Sequence, residues 1–148
     1  MNNQEYIKNF IAQAIKEDVG DGDHTSLSCI PADQIGKAQL LVKQDGILAG
    51  VEVAKMVFGT FDKNLKVTTF INDGTPVKKG DVAFIVEGSE LSILQTERLV
   101  LNFMQRMSGI ATTTHQYMQR IAGTGVRLLD TRKTTPNMRV FEKMAVKI

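Results

Sequence analysis

Val126-Arg127-Leu128-Leu129-Asp130-Thr131-Arg132-Lys133-Thr134-Thr135-Pro136 joins a short apolar run to a basic, threonine-rich loop. Behind it Met138, Phe141, Met144, Ala145 and Ile148 recur at helical spacing, with Pro136 near the start, where proline is tolerated. Strand, basic loop and helix together make one βα unit. In α/β barrels the loop after a strand's C-terminal end carries binding and catalytic side chains, so Asp130, Thr131, Arg132 and Lys133 are the prime candidates for chemistry. A single βα unit has little to pair with, and 148 residues are too few for a complete barrel. The helical pattern also runs to Ile148 without a stop signal, so the chain is expected to be a piece of a longer design.

Upstream of this unit, Thr96 is expected to cap a helix with Glu97 in its first turn and Val100, Leu101, Phe103, Met104 and Met107 on its buried side. Ser108-Gly109 is expected to break or kink that helix, and a second helical stretch runs to about Ala122, where Gly123-Thr124-Gly125 stops it. Further back, short runs rich in branched residues at 38–42, 47–49, 65–71 and 82–86 read as strands of a mixed sheet, followed by a short extended run at 90–94. The turns between them are Gln44-Asp45-Gly46 and Asn72-Asp73-Gly74-Thr75-Pro76. Residues 51–61 place Val51, Ala54, Val57, Phe58 and Phe61 on one face of a helix that packs on the sheet. At the N-terminus Ile7, Phe10, Ile11, Ala14 and Ile15 form the stripe of a docking helix over 4–18, which ends in a loop with two glycines and three aspartates at 18–25.

That acidic loop lacks the closing bidentate glutamate of a calcium-binding loop, and its Asp and Thr side chains are expected to cap backbone amides. No metal site is expected elsewhere. The lone Cys29 has no disulfide partner and is read as a small buried side chain. The stretch 73–81 resembles the turn of biotinyl and lipoyl carrier domains but lacks an attachment lysine in its usual context, and is taken as hairpin architecture.

The composition, 43% apolar and 23% charged, is that of a globular protein and not of a disordered tail. No window approaches a membrane span, and Asn2, Asn3 and Glu5 stand where a signal peptide would place basic residues, so a cytoplasmic address is the default. Charge is unevenly placed. Residues 1–97 hold 9 basic against 14 acidic side chains, a net −5, whereas residues 98–148 hold 9 against 2, a net +7. A basic second half calls for an anionic partner. Its cations are dispersed among apolar residues with few aromatics, which disfavours nucleic acid and favours a small polyanion.

Several segments taken together resemble the quinolinate phosphoribosyltransferase family. They are residues 17–25, Gly46-Ile47-Leu48-Ala49-Gly50, Thr96-Glu97-Arg98 with Leu101-Asn102-Phe103, Ser108-Gly109-Ile110-Ala111-Thr112, residues 130–136, and Glu142-Lys143-Met144-Ala145-Val146. They occur in order over nearly the whole chain. The resemblance implies an α+β fold: an N-terminal α/β sandwich (a hammerhead-like mixed sheet with helices) over 1–95, then, over 96–148, linking helices and the first βα unit of an incomplete α/β barrel. It also implies a family chain about twice as long, whose remaining site residues lie beyond position 148. This fragment alone is therefore expected to be inactive.

The implied reaction joins quinolinate to phosphoribosyl pyrophosphate and yields nicotinate mononucleotide, pyrophosphate and CO2 in NAD biosynthesis. Mg2+ accompanies the pyrophosphate. The implied assembly is a homodimer or a higher homo-oligomer in which the N-terminal domain of one subunit covers the barrel mouth of its neighbour. By motif, Arg132 and Lys133 bind the carboxylates of quinolinate, with Lys133 also near the departing pyrophosphate as the catalytic cation. Arg98 reaches into the neighbouring subunit's site, and Thr131 and Asn102 orient these groups. Planar guanidinium grips carboxylates in a bidentate way while lysine acts as a point charge, which is why such a site uses both. The plainer alternatives are a solvated basic loop and, for Arg98, a helix-surface arginine near an acid. His24 and His115 are read as structural. Two rival functions stay open: a related ModD-like enzyme of the same superfamily with another substrate, and a non-catalytic binding or assembly module.

Overall fold

The computed structural model describes residues 3–148, so Asn2, part of the N-terminal stretch read above as no leader, lies outside the described residues. Ten elements follow in order: α1 (Asn3–Val19), α2 (His24–Cys29), β1 (Ile35–Leu41), β2 (Gly46–Ile47), α3 (Val51–Phe61), β3 (Lys66–Thr69), β4 (Pro76–Val77), β5 (Val82–Ser89), α4 (Glu90–Ile121) and α5 (Arg139–Lys147). Helices and small sheets make the α+β fold that the sequence suggests.

Strand β5 is central. It pairs antiparallel with β1, from Ile35 opposite Ser89 to Leu41 opposite Val82, and antiparallel with β3, from Lys66 opposite Glu87 to Thr69 opposite Phe84. A second small sheet pairs β2 with β4, also antiparallel. The expected mixed sheet is thus corrected: every ladder among the described residues is antiparallel. Paired strands are never consecutive in the chain, since residues 42–81 lie between β1 and β5, 48–75 between β2 and β4, and 70–81 between β3 and β5, so tertiary packing and not a tight turn sets the direction of each ladder.

Strand β5 buries Phe84 and Val86 on one face and Ala83 on the other, and the core is filled by Val51, Val53, Ala54, Val57 and Phe58 of α3. Phe58 and Phe84 meet edge to face with ring centroids 6.1 Å apart. Helix α3 begins at Gly50, whose backbone is left-handed at φ 102° and whose missing Cβ would stand 3.2 Å from the Met104 backbone. The orphan amides of its first turn are met from afar, since the Asp73 carboxylate accepts from Val51 N at 2.8 Å.

Helix α4 is a single 32-residue element. The expected cap at Thr96 and the expected extended run at 90–94 are both corrected. The helix starts at Glu90, where the Ser89 side chain accepts from Ser92 N, and Thr96 lies inside it, 1% exposed, donating its hydroxyl to Ser92 O at 2.7 Å. The expected break at Ser108-Gly109 is also absent. Gly109 faces open space and costs about 1 kcal/mol relative to alanine. Met104, Met107 and Ala111 pack on either side of it, each at most 3% exposed. Ser108 meanwhile bridges to the strand layer, accepting from Ala49 N at 3.0 Å and donating to Ala49 O at 3.1 Å, while Thr112 accepts from Ile47 N at 2.9 Å. Tertiary burial outweighs the local helix-breaking signal.

Two further expectations fail for want of tertiary partners. Residues 126–130 form no strand, because a strand needs a ladder partner and none is at hand; Val126 and Leu129 are 62% and 86% exposed. Cys29 is exposed, because α2 lies on the surface with no buried residue. That six-residue helix was not visible in the sequence for lack of apolar periodicity, although its cap behaves as expected of the acidic loop: Asp23 accepts from Ser26 N at 3.2 Å.

Candidate active site

The chain reverses after α4 and returns as an irregular segment before α5. Its shape is set by side chains, since no ladder runs through it. Lys133 N donates to Thr131 Oγ1 at 3.0 Å and Thr134 N donates to Arg132 O at 3.0 Å, which curls residues 131–134 into a tight turn. From α5, Arg139 Nη2 donates to Arg132 O at 3.2 Å and Arg139 Nε to Thr134 Oγ1 at 3.1 Å. Asn137 takes the left-handed conformation at φ 64°, which asparagine tolerates, and its carbonyl accepts from Tyr6 of α1 at 2.9 Å. Helix α5 therefore begins at Arg139, three residues beyond Pro136, later than the expected proline-led start.

Helix α5 is anchored by Phe141, which is fully buried with its ring centroid 4.9 Å from that of Phe103 and 5.1 Å from that of Phe10. One residue on, Glu142 is 9% exposed. It accepts from Arg106 Nε at 2.8 Å and from Thr135 N at 3.2 Å, and Arg106 Nη2 donates to both Glu142 Oε1 and Thr135 Oγ1. Burial alone would push the Glu142 carboxyl up, but the hydrogen bonds from Arg106 and Thr135 outweigh it and hold the group below the ordinary glutamate value. Asp130, at the other end of the turn, pairs with Lys143.

Between these two anchors Thr131, Arg132 and Lys133 are exposed, and neither the Arg132 guanidinium nor the Lys133 ammonium has an acidic partner among the described residues. Arg98 stands elsewhere. It projects from the exposed face of α4 into an open cleft of about 510 Å3, shared with Asp18, Asp23, Asn102 and Gln105. The cleft does not include the 131–133 turn. Asp23, on its rim, titrates below the ordinary aspartate value chiefly because the Ser26 hydroxyl and amide donate to it, with Arg98 as a smaller, coulombic contributor. The structure thus brings Thr131, Arg132 and Lys133 together, places Asn102 beside Arg98, and leaves the two groups apart. His24, next to Asp23 in the chain, lies 3.4 Å from Asp21 at the surface, and His115 meets Gln119 on the exposed side of α4; neither lines the cleft.

Among the described residues no three His, Cys, Asp or Glu side chains gather to hold a metal ion. The described residues therefore supply no cluster of acidic ligands for Mg2+.

Residues 23–108 match the family described as quinolinate phosphoribosyl transferase, N-terminal domain. The chain belongs to the quinolinate phosphoribosyltransferase family. Residues 110–148 match the corresponding C-terminal domain. The chain is 44% identical over 143 residues to the mitochondrial decarboxylating quinolinate phosphoribosyltransferase 2a of Nicotiana tabacum, covering 96% of this chain and 40% of that one. Among solved structures, NadC from Streptococcus pyogenes superposes with a TM-score of 0.92 at 36% identity, covering 95% of this chain and 50% of that one. The nicotinate-nucleotide pyrophosphorylase from Francisella tularensis superposes at 0.90 with 33% identity, covering 97% and 51%. The chain spans about half the length or less of these relatives.

The sequence reading missed Arg106, Thr135, Arg139 and Glu142 as parts of the site. Arg106 and Glu142 are 36 residues apart, and no spacing rule links a mid-helix arginine to a glutamate in another helix. The one available signal was charge: Glu142 is one of only two acids in residues 98–148.

Proposed function

We propose that this chain supplies the quinolinate-gripping turn of a decarboxylating quinolinate phosphoribosyltransferase, with residues 1–95 as the N-terminal sandwich and 96–148 as the entry into an α/β barrel. The observation that carries this reading is the pair of unneutralised cations, Arg132 and Lys133, on a turn whose two flanks are tied down by ion pairs. Quinolinate is a dicarboxylate and phosphoribosyl pyrophosphate a polyanion. Bringing them together requires fixed positive charge, and permanently protonated guanidinium beside a mobile ammonium provides it.

In this reading Arg132 grips a carboxylate and Lys133 serves carboxylate and departing pyrophosphate alike, while Thr131 shapes the turn through the Lys133 amide. Catalysis is positioning and charge stabilisation: the ring nitrogen attacks the anomeric carbon as pyrophosphate leaves, and the quaternised ring then accepts the electrons released with CO2. Mg2+ enters as part of the phosphoribosyl pyrophosphate substrate. Arg98 opens into a separate cleft, which supports its service to the site of a second copy in a homo-oligomer. Among the described residues no helix is long and apolar enough to cross a membrane. An exposed, unpaired Cys29 suits a reducing compartment such as the cytoplasm.

The test is a chimera in which this chain replaces the matching half of the Francisella tularensis relative, assayed for nicotinate mononucleotide from quinolinate and phosphoribosyl pyrophosphate. Turnover is expected, with a loss of at least a hundredfold in Arg132→Ala or Lys133→Ala. A chimera that accepts nicotinate and not quinolinate, or alanine variants at full rate, would overturn the reading.

A further inference from the structure

We propose that Glu142 and Arg106 are positioning residues, which with the Asp130–Lys143 pair clamp the two ends of the 130–135 turn so that Arg132 and Lys133 are presented together to an anionic ligand. The proposal rests on the functional reading above for the ligand, and on the following geometry for the clamp.

Residues 98–148 contain nine cations and two acids, Asp130 and Glu142. Both acids are spent on the same turn. Asp130 opens it and is tied to α5 through Lys143. Thr135 closes it, with its amide donating to Glu142 at 3.2 Å and its hydroxyl accepting from Arg106. Glu142 and Arg106 complete the triangle through the 2.8 Å bond between Arg106 Nε and Glu142 Oε1. The clamp therefore joins α4, α5 and the turn through one loop residue, two positions beyond Lys133.

Such an arrangement is a costly way to gain stability alone, because the nearly buried Glu142 carboxylate must be desolvated, and an apolar pair of the same volume serves a core as well. Its yield is placement. A turn with no ladder would otherwise sample many conformations, and ordering two cations at the moment of binding would subtract from affinity. Local charge balance points the same way. Arg106 and Lys143 are neutralised by the two acids, whereas Arg132 and Lys133 are left without an acidic partner among the described residues. The positive potential is thus concentrated on the two side chains between the clamps.

The experiment is an amide-resolved NMR titration of the 148-residue chain with quinolinate, comparing wild type with Thr135→Val, Thr135→Ser and Glu142→Gln. Thr135 is exposed, so the valine variant removes the hydroxyl without disturbing the core. Wild type is expected to respond at the 131–135 amides. Thr135→Val and Glu142→Gln should bind about tenfold more weakly while β5 resonances stay in place, and Thr135→Ser should bind as wild type does. Faster hydrogen exchange at the residue-135 amide is expected in both weakened variants. Quinolinate binding in wild type with equal affinity in Thr135→Val would overturn the clamp and keep the substrate reading. An unresponsive wild type whose residue-135 amide is nonetheless protected, and deprotected in the variants, would support the clamp by itself, and the substrate reading is then decided by the chimera above.

Discussion

The segment 35–89 and the segment 122–148 are built by different means. In the first, every strand finds an antiparallel neighbour across intervening elements, α3 covers the sheet, and backbone ladders set the frame. In the second, an apolar run stands exposed, no ladder forms, and the chain is held by side-chain bonds to α4 and α5. The difference teaches where binding chemistry can be placed. In this chain the turn that carries the uncompensated charge is held from α4 and α5.

The contrast can be broken most severely at the anchor. Phe141→Ala empties a fully buried site between Phe103 and Phe10 and is expected to cost about 3–5 kcal/mol, read by urea unfolding, with loss of α5 docking before the 35–89 sheet melts. A protected α5 in that variant, by hydrogen exchange, would mean that the two regions are not separately held.

A smaller effect is expected at the clamp. The Glu142 carboxyl titrates below its ordinary value in the folded chain, so its contribution is complete above that ordinary value and is lost as pH falls through the depressed one. Glu142→Gln should therefore lower stability at neutral pH by about 1–3 kcal/mol and flatten the acid limb of the stability curve, measured by denaturant melts across a pH series. An acid limb unchanged by the substitution would show that Arg106 and Thr135 do not favour the charged form.

The smallest change sharpens the comparison. Arg132→Ala with Lys133→Ala should leave stability within about 0.5 kcal/mol of wild type, because neither side chain has an acidic partner among the described residues to lose, and relieving like-charge repulsion offsets the rest. A large loss of melting temperature in that double variant would assign the two cations to the scaffold.

Legibility in the sequence followed the range of the forces involved. The apolar spacing of Val51, Ala54, Val57 and Phe58 fixes α3 to its observed bounds, because helix amphipathicity is written within eleven consecutive residues. The turn chemistry around Gly46 and Gly74 likewise marks where the β2 and β4 strands meet. Arg132 and Lys133 stood out as adjacent cations in a threonine-rich context. The path of α4 was misread at both Thr96 and Ser108-Gly109, since hydroxyl and glycine signals are local and their uses here, back-bonding within the helix and bridging to the Ala49 backbone, are tertiary.

What the amino-acid order determined by itself is therefore the alternation of helices and short strands, the basic bias of residues 98–148 and the cationic turn within it. Only the tertiary structure decided that the strands run antiparallel, that 126–130 lacks a ladder, that Arg98 opens into a cleft apart from Arg132 and Lys133, and that Glu142 meets Arg106. The reason is physical. Periodicity and charge are properties of neighbouring residues, whereas strand partnership, solvent exclusion and ion pairing across 36 positions arise when packing brings distant groups into contact.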